Sequence, residues 1–474
     1  MSMAHRRPTG QMVTLSALIA ASIVIAGCSS SKSKASTSTS PSTAASSAAA
    51  PSASASAAAS TPAAASAPAS APAAGDAPVT ITIGDFGTFG YKEAGLYDAY
   101  QKLHPNVTIK EDTVEQSADY YKALQTHLAA GSGLDDIQAI EIGFVADVTA
   151  NHADQFVDFN SLPEGPQLKS TFYDWKWGMA STSDGKKTIG LGTDAGPEAM
   201  CYRPDLLKAA GLPSDRATLN QQWATWDGFI SFGQKYEAAA GKKGHFLDSA
   251  ASIFNAAVTQ GTEQYDNASG KPDVANSDGV KNAWALATKA AQAKITAGLS
   301  QFSTPWNQAF AGGAFAAISC PSWMTGYITS QAGQAVSGDW DIANLPGGAA
   351  NWGGSWLGVP KAGKNQAAAE ALAEWLTAPE QQVTMWTSAG HFPSSSTAAK
   401  DPKVSAATSD YFNKAPIGQI FGDSASKLKM VPIGPYDTQI QNAIDTSLSN
   451  VETKGAAPAA AFSDALKNVA QVTG

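Results

Sequence analysis

From Ser29 to Pro78 the chain is almost wholly serine, alanine, threonine and proline, without one aromatic residue. Such a stretch cannot bury enough apolar surface to offset the entropy of ordering it. The fold must therefore be built from Val79 onward. Residues 79–474 are too many for one compact core and point to two lobes. The whole chain carries a net charge of −9. Residues 1–78 hold Arg6, Arg7, Lys32 and Lys34 against Asp76 alone, so the folded part is more acidic still. An acidic body argues against nucleic acid as a partner and against direct binding to anionic lipid.

The start of the chain reads as an export signal. His5, Arg6 and Arg7 precede an apolar run from Met12 to Ala26, then small residues and Cys28. The run is shorter than the about 20 apolar residues a membrane-spanning helix needs. Pro8 follows Arg6-Arg7 and the rest of a twin-arginine motif is missing, which favours the general secretory route. Ile25-Ala26-Gly27-Cys28 resembles the lipobox of bacterial lipoproteins, in which the cysteine is acylated and becomes the new N-terminus. The expected order is a signal peptide at 1–27, then lipidated Cys28 and a disordered tether over 28–78. That puts the folded part on the outer face of the cell membrane. Cys201 and Cys320 are the remaining cysteines; in an exported protein they are either a disulfide or two buried thiols.

Val79–Ile83 alternates as a strand does. Leu96, Ala99, Tyr100 and Leu103 share one face of a helix. Strand Val107–Ile109, helix Tyr120–Ala130 and strand Ile137–Ile142 follow. This β-α-β-α-β order predicts an α/β fold with a mostly parallel sheet between helices. Further strands are expected at Ala199–Tyr202, Ala314–Ser319 and Trp356–Val359. Long helices are expected at Gln221–Ala239, Asp278–Ala293 (capped by Ser277), Ala367–Leu376, Tyr436–Val451 and Ala459–Ala470. Thr377-Ala378-Pro379-Glu380 reads as a capping box opening a helix that stops at Gly390. Asp135-Asp136 reads as a solvated turn. The run 265–273 imitates a calcium loop with the wrong ligand spacing, and a hairpin is expected instead.

Signatures of catalysis are missing. There is no G-x-S-x-G elbow, no phosphate loop, no G-x-G-x-x-G after the first strand and no H-E-x-x-H, and the six histidines are scattered. Paired carboxylates for glycoside hydrolysis meet only in space, so a hydrolase stays open on sequence alone. The expectation is a binding protein that is not an enzyme, with no cofactor and no metal. Twelve tryptophans support binding, since indole faces offer large apolar area at low entropy cost.

Several patches occur in a recognisable order: "GLYDAYQKLHPNVTI", "LGTDAGPEAMCYRPDLLKAAGLP", "AFAGGAFAAISCPSWM", "WGGSWLGVPKAGKNQAAAEALAEWLTAPEQQ" and "GHFPSSS". In these the chain resembles the family 1 extracellular solute-binding proteins of bacterial ABC importers, the carbohydrate group that includes maltose-binding protein. Within it the chain is most similar to cello-oligosaccharide binders of high-GC Gram-positive bacteria. The resemblance spans residues 79–474. It implies the two-lobed periplasmic-binding-protein fold of type II, with crossings near Gly192–Pro197, Trp352–Trp356 and Gly390–Ser396. Lobe one would hold 79–193 and 355–391, and lobe two 196–352 and 394–474. It also puts Cys201 and Cys320 on strands of lobe two.

The partners so implied are a sugar ligand, the importer's permease subunits and the membrane through the anchor, with the protein itself a monomer. Trp323 matches a stacking position. Trp352 and Trp356 flank Gly353-Gly354, one expected to face ligand and the other to pack. Tyr436 matches another aromatic position, and Phe89 lies in the turn after the first strand, where the family touches ligand. Asp194 sits at the first crossing. Glu141 and Phe144 follow the third strand at its carboxyl end, where open parallel sheets bind ligands. Glu141 and Asp194 read equally as helix caps or surface residues, and Trp306 has no assigned role.

If Cys28 carries the anchor, Cys28→Ser moves the protein from the membrane fraction into the medium. Mass measurement of the N-terminus and fractionation check this; a variant whose signal peptide is cleaved but which stays membrane-bound refutes the anchor.

Overall fold

The computed structural model describes residues 77–241, 244–267 and 269–474. The expected signal peptide, Cys28 and the expected tether up to residue 76 lie outside the described residues. No helix among the described residues is long and apolar enough to cross a membrane.

The first sheet has the order β2-β1-β3-β9-β4, with β1 at Val79–Phe86, β2 at Val107–Val114, β3 at Ile137–Glu141, β4 at Leu191–Gly192 and β9 at Ser355–Gly358. Ile81 and Ile83 of β1 are fully buried, as the alternation requires. Strand β1 pairs in parallel with β2, from Val79 opposite Val107 to Phe86 opposite Val114, and with β3. The sheet is mostly parallel, as expected, with one strand reversed. Strand β9 runs antiparallel to both β3 and β4, because the chain returning from the second sheet enters at the edge where β1, β3 and β4 end.

The second sheet has the order β6-β7-β5-β8, with β5 at Glu198–Tyr202, β6 at His245–Leu247, β7 at Phe315–Pro321 and β8 at Asp341–Ala343. Every residue of β5 and β7 is buried. In their antiparallel register Cys201 lies opposite Ile318 and Cys320 opposite Ala199. The two cysteines are thus diagonal neighbours, their Cα atoms are 5.5 Å apart, and they are joined by a disulfide. An aromatic core packs behind this sheet, centred on Trp223 with Tyr202, Phe229, Phe232 and Phe246 around it.

Three passages of chain run between the sheets and bond to one another. The Ala195 amide donates to Phe392 O at 2.8 Å, Trp352 N to Gly196 O at 2.8 Å and Thr193 N to Ser355 O at 2.9 Å. Glycine is required here. Gly354 has φ +110°, which side chains rarely adopt, and a Cβ on Gly196 would stand 2.0 Å from Trp352 O.

Local expectations failed in three places, and the structure decides which tryptophan of the pair flanking Gly353-Gly354 packs. The segment Gln221–Ala239 is two helices, Arg216–Gln222 and Trp226–Ala240, the second capped by the Thr225 hydroxyl accepting from Gly228 N. The capping box does not form: the Thr377 hydroxyl donates back to Ala373 O, and Ala378 precedes Pro379 as the cap of Pro379–Ala389. Asp136 is buried rather than solvated, accepting from Thr82 N at 3.0 Å. Trp356 is a core residue, 0% exposed, its indole N–H donating to Lys176 O at 3.2 Å. In contrast, Ser277 caps its helix as the sequence implies.

Two outcomes follow from this packing. Alkylation of the native protein finds no free thiol at Cys201 or Cys320, and Cys201→Ala with Cys320→Ala loses about 2–4 kcal/mol in urea unfolding, since the bridge closes a long loop. Trp356→Ala loses about 3–5 kcal/mol in the same assay, as a buried large-to-small truncation does, whereas Trp352→Ala at the partly exposed neighbour loses much less.

Candidate ligand-binding cleft

The carboxyl ends of β1 and β3, the loops after them and the crossings surround a cavity of about 450 Å³. One wall carries Phe86, Phe89 and Tyr91, with ring centroids 5.5 Å apart for Phe86–Phe89 and 5.6 Å for Phe89–Tyr91. The facing wall carries Phe302, Trp323 and Trp352. The Trp323 indole N–H donates to Trp352 O at 2.8 Å, which fixes the ring, and the two indoles meet edge to face at 5.6 Å. Phe302 lies nearly parallel to Trp323 with centroids 6.4 Å apart. A second chamber of about 920 Å³ shares Ser117, Glu141, Phe302 and Trp352 with the first and continues toward Asn442 and Asp445.

Of the residues singled out by sequence, Phe89, Glu141, Asp194, Trp323 and Trp352 line the first cavity together. Phe144 lines the second chamber, with Tyr121 stacked on its ring at 3.9 Å. Trp356 is the correction to the pair flanking Gly353-Gly354: in a strand that starts at Ser355, the next side chain points to the opposite face. Tyr436 is exposed ahead of helix Asp437–Lys454 and lines neither chamber.

Sequence reasoning missed Phe302, Phe86, Tyr91 and His391. Phe302 is the most informative of these. It is 51% exposed and holds φ +62°, an outlier for a bulky side chain. Strain of this kind costs about 1–3 kcal/mol and concentrates at ligand sites. No residue pattern signals it; only the fold does. Tyr91 could have been found as the aromatic two residues beyond Phe89.

Three carboxylates line the cavity, Glu115, Glu141 and Asp194, and the last two are held by defined hydrogen bonds. The Asp194 Oδ1 accepts from Ser355 N at 2.9 Å and from the Thr193 hydroxyl at 2.8 Å, leaving Oδ2 outside those bonds. Glu141 caps helix Ile142–Asn151 by accepting from Gly143 N at 3.1 Å through Oε2. The cap reading and the cavity reading of Glu141 therefore both hold. Burial pushes the Glu141 carboxyl up to about 7; the Gly143 amide opposes this, Asp194 adds to it and Lys176 opposes it. The Tyr91 hydroxyl is buried without a partner among the described residues. Burial, and then Asp194, raise its pKa well above the usual phenol value, so it stays a donor. No group of three or more His, Cys, Asp or Glu among the described residues could hold a metal ion. The arrangement offers flat apolar faces, acceptors and one fixed donor, the set a polyhydroxylated ring requires.

Residues 95–411 match the family model described as bacterial extracellular solute-binding protein. The chain is 27% identical over 184 residues to the arabinooligosaccharide-binding protein of Bacillus subtilis (strain 168), a match covering 38% of this chain and 40% of that relative. A solved structure of an extracellular solute-binding protein of family 1 is 37% identical with a TM-score of 0.77, over 84% of this chain and 100% of the other. The ABC-transporter-associated binding protein from B. animalis subsp. lactis Bl-04, solved with β-1,6-galactobiose, gives a TM-score of 0.69 at 19% identity, over 83% and 97% of the two chains. This last likeness is one of fold. The matched family, the two-lobed fold and the ligand-sized cleft between the sheets agree: the chain belongs to the bacterial extracellular solute-binding proteins.

Proposed function

We propose that this chain is the lipid-anchored capture component of an ABC importer, taking a short β-linked gluco-oligosaccharide such as cellobiose or cellotriose. The observation that carries the reading is the cavity lined by aromatic faces on both walls together with the carboxylates of Glu141 and Asp194. Sugar rings pack their C–H faces on indole and phenyl rings, and their hydroxyls donate to carboxylates. The relatives give a second support: one is named for binding arabino-oligosaccharides and another was solved with a galactobiose. The choice of β-linked glucose units rests on the sequence patches that resemble cello-oligosaccharide binders.

In this reading Trp323 and Trp352, with Phe302 beside them, stack the sugar, and Phe89 closes on the opposite face. Asp194 and Glu141 accept hydroxyl protons, and Phe144 serves units reaching the second chamber. The lobes are 79–193 with 355–391 and 196–352 with 394–474. A ligand touching both shifts the molecule toward the closed state, because it binds that state better. Closure then presents the loaded protein to the permease at the membrane surface, and the tether gives it reach.

Calorimetry on the mature protein tests this. The parent binds cellobiose or cellotriose with Kd near ~1 μM, or about −8 kcal/mol. Trp323→Ala and Trp352→Ala each weaken binding at least tenfold while remaining folded. Parent affinity in both variants refutes the stacking platform. Binding of a peptide or polyamine in place of every oligosaccharide refutes the substrate class and leaves the capture role. Shortened sugars after incubation turn the reading toward a hydrolase.

A further inference from the structure

Lys176 sits on helix Asp174–Met179 and is 1% exposed. Its ammonium has no hydrogen-bond partner among the described residues and lies 3.3 Å from the centroid of the Trp356 ring. It occupies the point where the crossings meet. A Cβ on Gly354 would stand 2.7 Å from Nζ, and one on Gly192 would stand 3.0 Å from the lysine Cε. The same Gly354 Cβ would be 3.0 Å from the Asp194 carbonyl. Two glycines, on two of the three passages, thus leave the space the lysine fills. The charged groups acting on the ammonium are Asp194, from the crossing after β4, and Glu141, from the end of β3. Ser394 of the third passage abuts Gly192, and the Tyr91 phenol feels the charge of Asp194. No lysine or arginine, Lys176 included, lines the first chamber itself.

A lone buried cation is costly unless it is compensated, and so are two carboxylates facing one cavity. Without a cation a buried carboxylate is driven to take a proton, and a protonated carboxyl donates where an acceptor is needed. We propose that Lys176 is a positioning residue of the cleft: its buried ammonium, seated against Gly354 and Gly192, is the counter-charge that favours the carboxylate form of Glu141 as an acceptor for ligand hydroxyls. The claim rests on the cleft being the ligand site. Burial pulls the Lys176 ammonium down to about 7, against the pull of Asp194 and Glu141. Glu141 titrates near the same pH, so the cluster shares its protons.

Carbon-13 NMR of glutamate-labelled protein tests this without any ligand, with the Glu141 carboxyl assigned from the Glu141→Gln spectrum. In Lys176→Met its midpoint rises by a pH unit or more, with circular dichroism unchanged. A midpoint equal to the parent's in the folded variant overturns the proposal. If Lys176→Met does not fold, nitrogen-15 NMR of the lysine ammonium decides. Its midpoint falls in Glu141→Gln or Asp194→Asn, and an unchanged midpoint in both overturns the proposal. Cellotriose calorimetry adds the functional arm: Lys176→Met binds at least tenfold more weakly at pH 7 and recovers part of the loss at pH 9, as Glu141 ionises. A loss equal at every pH marks a merely structural lysine and overturns the proposal. A parent that ignores cellotriose refutes the sugar reading, while the carboxyl titration still decides the role of Lys176.

Discussion

Three passages of chain lie side by side between the two sheets, and each satisfies backbone groups of another. Ala195 bonds to Phe392, Trp352 to Gly196 and Thr193 to Ser355. Non-repetitive backbone this deep in a protein is tolerated only when its N–H and C=O groups are paired. Here the pairing also fixes where the two lobes meet. The approach is so close that Gly196 has no room for a side chain, and Gly354 holds a conformation that favours glycine. Trp352, Asp194 and Ser355 reach the cleft because they are carried on these passages.

The chemistry of the cleft follows from the direction of the strands. Strands β1, β3 and β4 all end at the cavity, so Phe86, Glu141 and the residues after Gly192 arrive there together. Strand β9 begins there, which puts Ser355 at the lining and turns Trp356 inward. The buried Trp356 then offers its face to Lys176 and its N–H to the lysine carbonyl. One strand therefore supplies a cleft residue, a core residue and the seat of the buried cation.

Much of this was legible in the sequence where a period is long enough to read. Ile81 and Ile83 mark β1, and Leu96 and Tyr100 mark the buried face of the first helix. Strands of two or three residues, such as β4, β6 and β8, offer no alternation to count. The break at Trp223–Thr225 was missed because its apolar residues continue the helical stripe of their neighbours. Trp352 and Trp356 looked equivalent, since the choice turns on whether the strand starts at Ser355. Phe302 carries its signal in a backbone angle, and Lys176 in a tertiary cavity; neither is written in local composition. The state of Cys201 and Cys320 stayed open until the register of β5 against β7 brought them together.

The disulfide joins neighbouring strands of one sheet and does not span the cleft. Its constraint therefore lies within one sheet. A clamp from β9 to β5 would have tied the two sheets together; this one braces a single wall. A protein working outside the cell is worn down by proteases that cut transiently opened chain. Bracing the second sheet lowers the population of such openings there while tying nothing across to the first. Durability is thereby assigned to one part of the molecule, and can change in evolution without disturbing the other.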